Sequence, residues 1–526
     1  MIRLAVLSDP HLHDTSFGTA TEGLVVRSLA ASLHSTRIFN ESEPALREAL
    51  RQIAAERIGL CLIAGDLTDD GQPANWAAAA ALLAEHAERH RTRFLLCPGN
   101  HDQWGIAGKP LVKEVVDAAG RVHRLTGPSV EPEAGTVPCP GMRMSSYAEA
   151  MGHARALGYF RDPRDLHWES PFGPSDRIED REVAMTSPRG DRALVFDASY
   201  LVEPVAGLWI LSLDANCYLP DGRGGMTDRS PEGWSAALRF KPHLLPWIAD
   251  VAARAGRLGK RLVAMSHYPM VDVFGGTIPQ LDRLGRRRAG RRRMPEPGET
   301  AALAATGLGL HFSGHWHVDA TAACAGLVNV SVPSTVGFPA GWKLVELGEG
   351  VRLTDRPLGE APGWNGWHDR YHAEAADRDI PALAAPDYTG FLSAHYMAMV
   401  LERRLEEDWP PRMRALLDLP LGALPERFGE TAAQEPGDLP LREIFLDWYR
   451  LREAGGGPAA GLSEERWRLC AALARRFGAV DADGDAGSEA ALLAVFFRTL
   501  GAHLAAGEAG MRARAELAEP GGVAAC

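Results

Sequence analysis

The sequence predicts an α/β fold through residue 355 and a mostly helical region after it. Three observations carry this. Short apolar runs at 2–8 and 58–64 each end in a polar cluster, Ser8-Asp9 and Gly65-Asp66. Helical periodicity fills the stretches between such runs, and beyond about residue 387 only the helical period persists. Alternating strands and helical crossovers imply parallel pairing, and in open α/β sheets ligands collect beyond the carboxyl ends of the strands.

Taken in order, residues 2–8 and 58–64 are buried strands because they are almost continuously apolar. Between them Glu43-Pro44 opens a helix in which Ala45, Leu46, Ala49, Leu50 and Ile53 recur at i, i+3 and i+4. An alanine-rich helix at about 74–90 precedes a strand from Arg93 to Cys97, which leads into Pro98-Gly-Asn-His-Asp102. The opening is therefore β-α-β-α-β. Residues 105–195 break the rhythm with Pro, Gly and charge and read as an insertion holding a helix near 145–157; insertions of this kind often shape substrate pockets. Strand character returns at 193–203 and 208–214, a helix follows at about 231–256, and a strand from Arg261 ends in Ser266-His267. A loop at 272–298 carries the run Arg286–Arg293, before a helix near 299–306 and a strand, Leu308–Ser313, that delivers Gly314-His-Trp-His317. Residues 326–347 close the first part, 1–355. A linker at 356–386 then leads to a helical C-terminal domain, 387–526, with helices expected at about 387–408, 439–453, 463–477 and 488–505.

Composition excludes several classes. With 46% apolar and 24% charged residues, the chain is neither disordered, collagen-like nor a disulfide scaffold. A net charge of −12 argues against a protein that lives on the nucleic-acid backbone. Arg286–Arg293 is the local exception: six guanidiniums in eight residues suit a substrate phosphate, a nucleotide tail or RNA, although a solvated loop is the commoner explanation. Seven cysteines stand singly without a C-x-x-C pair, which reads as free thiols in a reducing compartment. The N-terminal apolar stretch is too short for a signal-peptide core, and no run approaches the roughly 18 apolar residues of a membrane span. The expectation is a cytoplasmic protein with no membrane partner.

Five short clusters each follow an expected strand: Asp9-Pro-His11, Gly65-Asp66-Leu-Thr-Asp69-Asp70, Gly99-Asn-His-Asp102, Ser266-His267 and Gly314-His-Trp-His317. They consist of carboxylates, an amide and imidazoles with no thiolate, the donor set of a catalytic divalent metal rather than a structural zinc. Seven or more such ligands are too many for one ion and suit two ions about 3.5–4 Å apart. Residues two apart in an extended segment share a side, so Asp9 with His11, and His315 with His317, can face one centre. Gly65, Gly99 and Gly314 are expected to permit sharp departures from their strands.

D-x-H, G-D-x-x-D, G-N-H-D, a lone His after a strand and G-H-x-H, in this order across residues 9–317, resemble the calcineurin-like metallophosphoesterases. The G-N-H-D form is most similar to the bacterial cyclic-nucleotide phosphodiesterase branch. The resemblance implies a four-layer αββα sandwich of two mixed sheets with a dinuclear site at one sheet edge. It further implies that Asp9, His11 and His317 hold one metal, that Asn100, His267 and His315 hold the other, and that Asp66 bridges them. His101 falls where the family has its leaving-group histidine, with Asp102 placed to orient that ring, and Asp69 matches an acid that braces the loop.

The expected activity is hydrolysis of a small phosphodiester, with a 3',5'-cyclic nucleotide as the leading substrate and two divalent ions drawn from Mn, Fe, Zn, Co or Mg. The alternatives are a phosphomonoesterase or protein phosphatase, a nuclease using the Arg286–Arg293 run, and a metal-bound, non-catalytic scaffold. The C-terminal helices are expected to pack near the site or to mediate assembly into a homo-oligomer.

Overall fold

The computed structural model describes residues 1–16, 25–128, 136–282, 293–376, 378–430, 437–480 and 488–520. A five-stranded sheet has the order Val351–Pro357, Gly341–Leu347, Ile2–Leu7, Leu60–Ile63 and Arg93–Leu96. Its last three strands are parallel, as the β-α-β-α-β opening requires. A seven-stranded sheet runs Ala320–Cys324, Leu327–Ser331, Leu310–Ser313, Arg261–Ser266, Leu208–Leu213, Tyr200–Val205 and His167–Glu169. The second to fifth of these are parallel. Leu208–Leu213 is buried at every position, the pattern of a strand covered on both faces.

The two sheets share one core. Val6, Leu62 and Leu95 of the first belong to the same apolar cluster as Tyr200, Ile210, Val263 and Phe312 of the second. Two hydroxyls also cross between the sheets, Tyr200 and Ser212 donating to the Leu96 carbonyl at 3.0 and 3.3 Å. On the far side of the larger sheet, Leu244, Ile248 and Val251 of the helix Leu244–Arg257 cluster with Trp209 and Leu211.

The helix expected at 231–256 is two helices, Trp234–Phe240 and Leu244–Arg257. Pro242 supplies the reason, since the residue before a proline is pushed out of helical geometry, and Lys241 sits at φ −120°, ψ 64°. The displaced Lys241 is buried, its ammonium donating to the Asp214 carbonyl at 2.8 Å and lying 3.4 Å from the Asp197 carboxylate. The 105–195 stretch holds more strand than its composition suggests. Val112–Val116, Val122–Thr126 and Thr136–Pro138 form a small sheet, Glu182–Thr186 pairs with Arg192–Phe196, and His167–Glu169 joins the seven-stranded sheet as its edge. These strands are three to five residues long and half exposed, so they lack the apolar run that marks the central strands.

C-terminal helices run Tyr388–Met399, continued through a π turn at Val400–Arg404, then Leu441–Glu453, Glu464–Gly478 and Glu489–Ala518. Asp387, Ser463 and Ser488 cap three of them, each side chain accepting a backbone N–H of the first turn. Glu489–Ala518 lies along the strand Ala320–Cys324, where a Cβ on Gly510 would stand 2.5 Å from the Thr321 carbonyl. This helix is long and apolar enough to cross a membrane by length and composition, which the expectation of no such run did not anticipate; 56% of its apolar window is buried inside the protein. The 356–386 stretch, expected as a linker, holds the helix His368–Ala375, whose Tyr371 is buried and bonded to Asn40 and Glu41 at 2.6 and 2.8 Å. A cavity of about 390 Å³ lies between Gly341, Trp342 and Pro357 of the sheet edge and Gly507, Met511 and Arg514 of the long helix, away from every expected metal ligand.

Candidate metal centre

Each cluster leaves the carboxyl end of a parallel strand, so the two sheets deliver all seven expected ligands to one edge. The backbone that does this is not extended. Asp9, His11, Asp66, His315 and His317 have φ of 49°, 44°, 51°, 71° and 59°, in the left-handed region that costs a non-glycine residue about 1–3 kcal/mol. Convergence therefore comes from left-handed turns, which corrects the expectation of extended pairs; His315 and His317 also part toward different partners. Gly99 and Gly314 serve close approach rather than turning, since a Cβ would meet Asp66 Oδ1 at 2.0 Å in the first case and Ser8 Oγ at 1.9 Å in the second.

Two groups of ligand atoms form. In one, His11 Nε2 lies 3.1 Å from His317 Nε2, and Asp9 Oδ1 lies 3.7 and 3.4 Å from those two nitrogens. In the other, Asn100 Oδ1 is 3.1 Å from His267 Nε2 and 2.9 Å from His315 Nδ1, while the two imidazole nitrogens are 3.2 Å apart. Asp66 Oδ2 stands between, 3.7 Å from His11 Nε2 and 3.1 Å from His267 Nε2. Asp9, His11 and His317 form one set able to hold a metal ion, and Asp9, Asp66 and His267 another. The donor set fits a divalent cation: atoms that each bind one ion at roughly 2.0–2.2 Å sit about 3 Å from one another, and hard oxygen with borderline nitrogen is the mixture such ions take.

Charge follows the same plan. Burial holds His11 and His315 well below the ordinary imidazole value, helped by Arg37 in the first case and by His267 and Arg293 in the second, so both present neutral nitrogen. His267 goes the other way: burial opposes its charge, but the Asp66 carboxylate prevails and raises it to about 9. Burial works against Asp66 too, yet the His267 and His101 rings hold it below the carboxylate range. The His267 Nδ1–H donates to the Ala64 carbonyl at 3.0 Å, which aims Nε2 at the cluster.

His101 stands beside this group with its backbone N–H donating to Asp66 Oδ1 at 2.7 Å. Asp102 does not orient its ring, contrary to expectation. That carboxylate is fully buried, accepting from the Gly99 N–H, the Thr68 N–H and the Thr68 hydroxyl, each at 3.0 Å, and burial beside Asp66 raises it to about 6. The ring's Nδ1 instead meets Asp70 Oδ1, with Arg37 Nη2 3.3 Å away. Asp69 braces the loop as expected, pairing with Arg27 at 3.0 Å and Arg37 at 2.9 Å. Lys113 joins Asp70 and lies 3.7 Å from Asp69; burial, against the pull of Asp69, lowers it to about 7. Sequence reasoning missed Asp70, Arg37 and Lys113. Asp70 was visible as the second acid of a pair, whereas Arg37 comes from a loop and Lys113 from the short strand Val112–Val116, neither with a motif. Of the Arg286–Arg293 run, residues 286–292 lie outside the described residues and Arg293 lies within them.

Residues 2–164 match the sequence profile described as calcineurin-like phosphoesterase. Over these residues the chain is similar to the calcineurin-like phosphoesterases. The match covers Asp9, His11, Asp66, Asn100, His101 and Asp102 and stops before His267, His315 and His317, which the parallel strands Arg261–Ser266 and Leu310–Ser313 bring to the same edge. Among solved structures, a dimetal phosphatase from Danio rerio is 12% identical, with 68% of this chain and 96% of that chain aligned and a TM-score of 0.30. An anchor protein of the Plasmodium inner membrane complex is 10% identical over 68% and 85%, with a TM-score of 0.32. The phosphopantetheinyl hydrolase of Mycobacterium tuberculosis is 13% identical over 63% and 89%, with a TM-score of 0.23. No curated protein matches the chain.

Proposed function

We propose that this protein hydrolyses phosphodiesters at a dinuclear centre, with a 3',5'-cyclic nucleotide as the leading substrate. The observation that carries the reading is the set of Asn100 Oδ1, His267 Nε2 and His315 Nδ1, mutually within 3.2 Å and adjoining Asp66. Asp9, His11 and His317 would hold one ion, Asn100, His267 and His315 the other, and Asp66 both. Two divalent ions bound there supply a water acidified to near neutrality and neutralise charge on the phosphoryl oxygens.

The chain's own groups do the rest. Asp66 fixes His101 through the backbone N–H, which keeps the ring at the centre's rim. Asp70 engages Nδ1 and leaves Nε2 for exchanging a proton with the departing alkoxide, the need that separates an alkyl diester from an activated ester. Asp102 ties the His101 loop to Thr68 and so keeps this geometry. The diester preference rests on the Gly99-Asn-His-Asp102 form of the motif.

On this reading the two sheets and their flanking helices make a four-layer αββα sandwich. Residues 1–355 are the catalytic domain with 105–195 inserted, and 387–526 are a helical domain reached through 356–386. The protein acts in the cytoplasm on a small soluble phosphodiester, without a membrane partner.

The test is hydrolysis of bis(p-nitrophenyl) phosphate and p-nitrophenyl phosphate by metal-stripped protein resupplied with Mn²⁺, using Asp66→Ala as the blank. Preference for the diester supports the proposal and leads to a panel of cyclic nucleotides. Preference for the monoester replaces it with a phosphatase, and silence on both with a non-catalytic scaffold.

A further inference from the structure

An acidic chain that handles an anionic substrate needs local positive charge at its centre. On the His101 side, carboxylates already engage the cations: Arg27, Arg37 and Lys113 gather on Asp69 and Asp70. The His315 side differs. There the Arg293 guanidinium lies 5.8 Å from the ring centre of Trp316, the residue between His315 and His317. Arg293 has no carboxylate within ion-pair distance among the described residues, and its Nε is buried without a hydrogen-bond partner.

Arg404 comes to the same neighbourhood from the C-terminal helices. Its charge acts on Arg293, its Nε is buried and unpartnered, and its ion pair is Glu407 in its own turn, at 3.6 Å. The segment that carries it is seated on the loop that carries Arg37, with the His395 ring donating to the Ser32 carbonyl at 2.7 Å and Arg403 bonding the His34 carbonyl. Val400–Arg404 is a π turn, a form that occurs frequently at functional sites. Trp316 Nε1 is a third buried nitrogen without a partner. All three groups are donors only and two are permanent cations, a set whose chemistry suits an oxyanion.

We propose that Arg293 and Arg404, with the Trp316 indole, form a subsite for a second phosphate beside the metal centre, so that the preferred substrate is a phosphodiester bearing a further phosphate group. This rests on the phosphodiesterase reading and narrows it: a cyclic nucleotide that carries an additional phosphate satisfies both. It also gives the C-terminal helices a part in substrate selection, through Arg404.

The experiment compares the p-nitrophenyl ester of thymidine 5'-phosphate with and without a 3'-phosphate, using full-length Mn²⁺-loaded protein. The expected kcat/KM ratio favours the 3'-phosphorylated ester by about tenfold or more, the scale of one charge-assisted contact. Arg293→Met and Arg404→Met bring the ratio toward one, Arg293→Lys keeps part of it, and the distant exposed Arg352→Met leaves it unchanged. A ratio near one in the unmodified protein, or a ratio that survives both Met variants, overturns the subsite. If neither ester turns over, calorimetric binding of thymidine 3',5'-bisphosphate against thymidine 5'-phosphate decides separately. Tighter binding of the bisphosphate that is lost in Arg293→Met keeps the subsite while the phosphodiesterase reading fails; equal binding overturns the subsite.

Discussion

Two buried polar clusters occupy neighbouring positions on the seven-stranded sheet, and they are built on opposite terms. In the first, Ser266 Oγ meets His311 Nε2 at 2.8 Å, His311 Nδ1 meets Asn329 Oδ1 at 2.7 Å, and Asn329 Nδ2 donates to Ser313 Oγ at 3.1 Å. A serine, a histidine and an amide in line have the form of a nucleophilic triad, yet all are fully buried and Ser266 also bonds the Tyr268 carbonyl at 2.8 Å. Each of these side-chain nitrogens and oxygens has a protein partner, the Ser266 hydroxyl sharing its one proton between His311 Nε2 and the Tyr268 carbonyl, so the cluster needs no added ligand. In the second, Asn100 Oδ1, Asp66 Oδ2 and a neutral His315 nitrogen all converge on His267 Nε2. That surplus of acceptors is met without metal by the proton that Asp66 holds on His267, and with metal by the cation that replaces it. What separates framework from site is therefore closure of the hydrogen-bond set, not residue type, since serine, histidine and asparagine would suit either.

The sharpest way to break this contrast is to remove Asp66. Asp66→Ala takes a ligand from both groups and should lower kcat/KM on the order of a thousandfold, matching several kcal/mol of lost charge stabilisation; activity within tenfold of the original would place the chemistry elsewhere. The framework cluster should respond to acid instead. Burial lowers His311 to about 4, so between pH 6.5 and 4 the unfolded chain takes up a proton that the folded chain refuses, and stability falls as pH falls through that window. The loss is about 3 kcal/mol by pH 4, and denaturant titrations of His311→Gln should show a correspondingly flatter pH profile.

Metal sharpens the contrast from the other side. At a hundredfold excess over its dissociation constant, Mn²⁺ should stabilise the protein by about 2.7 kcal/mol, seen as a rise in Tm that Asp66→Ala lacks. Without metal, His267 has the reverse sign of His311. Raised to about 9 by Asp66, it contributes stability that is fully present below about pH 6.5 and lost as pH rises through 9, a slope that should vanish in Asp66→Asn. The smallest effect divides the two acids near His101. Asp70→Asn should lower kcat by about tenfold through the ring, while Asp102→Asn should cost about 1–3 kcal/mol of stability with a smaller change in kcat; the opposite ranking would restore Asp102 as the partner of His101.

The centre was legible in the sequence because each ligand sits within four residues of an apolar strand end, and strands of a parallel sheet end together. Which acid meets His101 was not legible. Asp102 is its neighbour in the chain, but Thr68 and Gly99 capture that carboxylate, and Asp70 reaches the ring across a turn whose left-handed φ of 60° no spacing rule reports. Arg37 and Lys113 were hidden for a related reason: they come from a loop and a short strand far apart in the chain and meet through Asp69 and Asp70. The break between Phe240 and Leu244 could have been read from Pro242, whereas the short edge strand His167–Glu169 has no periodicity to read.

The helix His368–Ala375 has a consequence for how this chain could have been inherited. Its Glu374 carboxylate accepts the N–H groups of Leu29 and Ala30 at 2.6 and 3.0 Å, and its Tyr371 hydroxyl donates to Glu41, whose acid burial has raised to about 7. The amino-acid composition changes near Pro357, but the packing does not. A recombination event at that point would strand a buried acid and the first turn of the helix Leu29–Leu33 in one descendant and a tyrosine in the other, so the two halves are expected to travel through lineages as one gene segment.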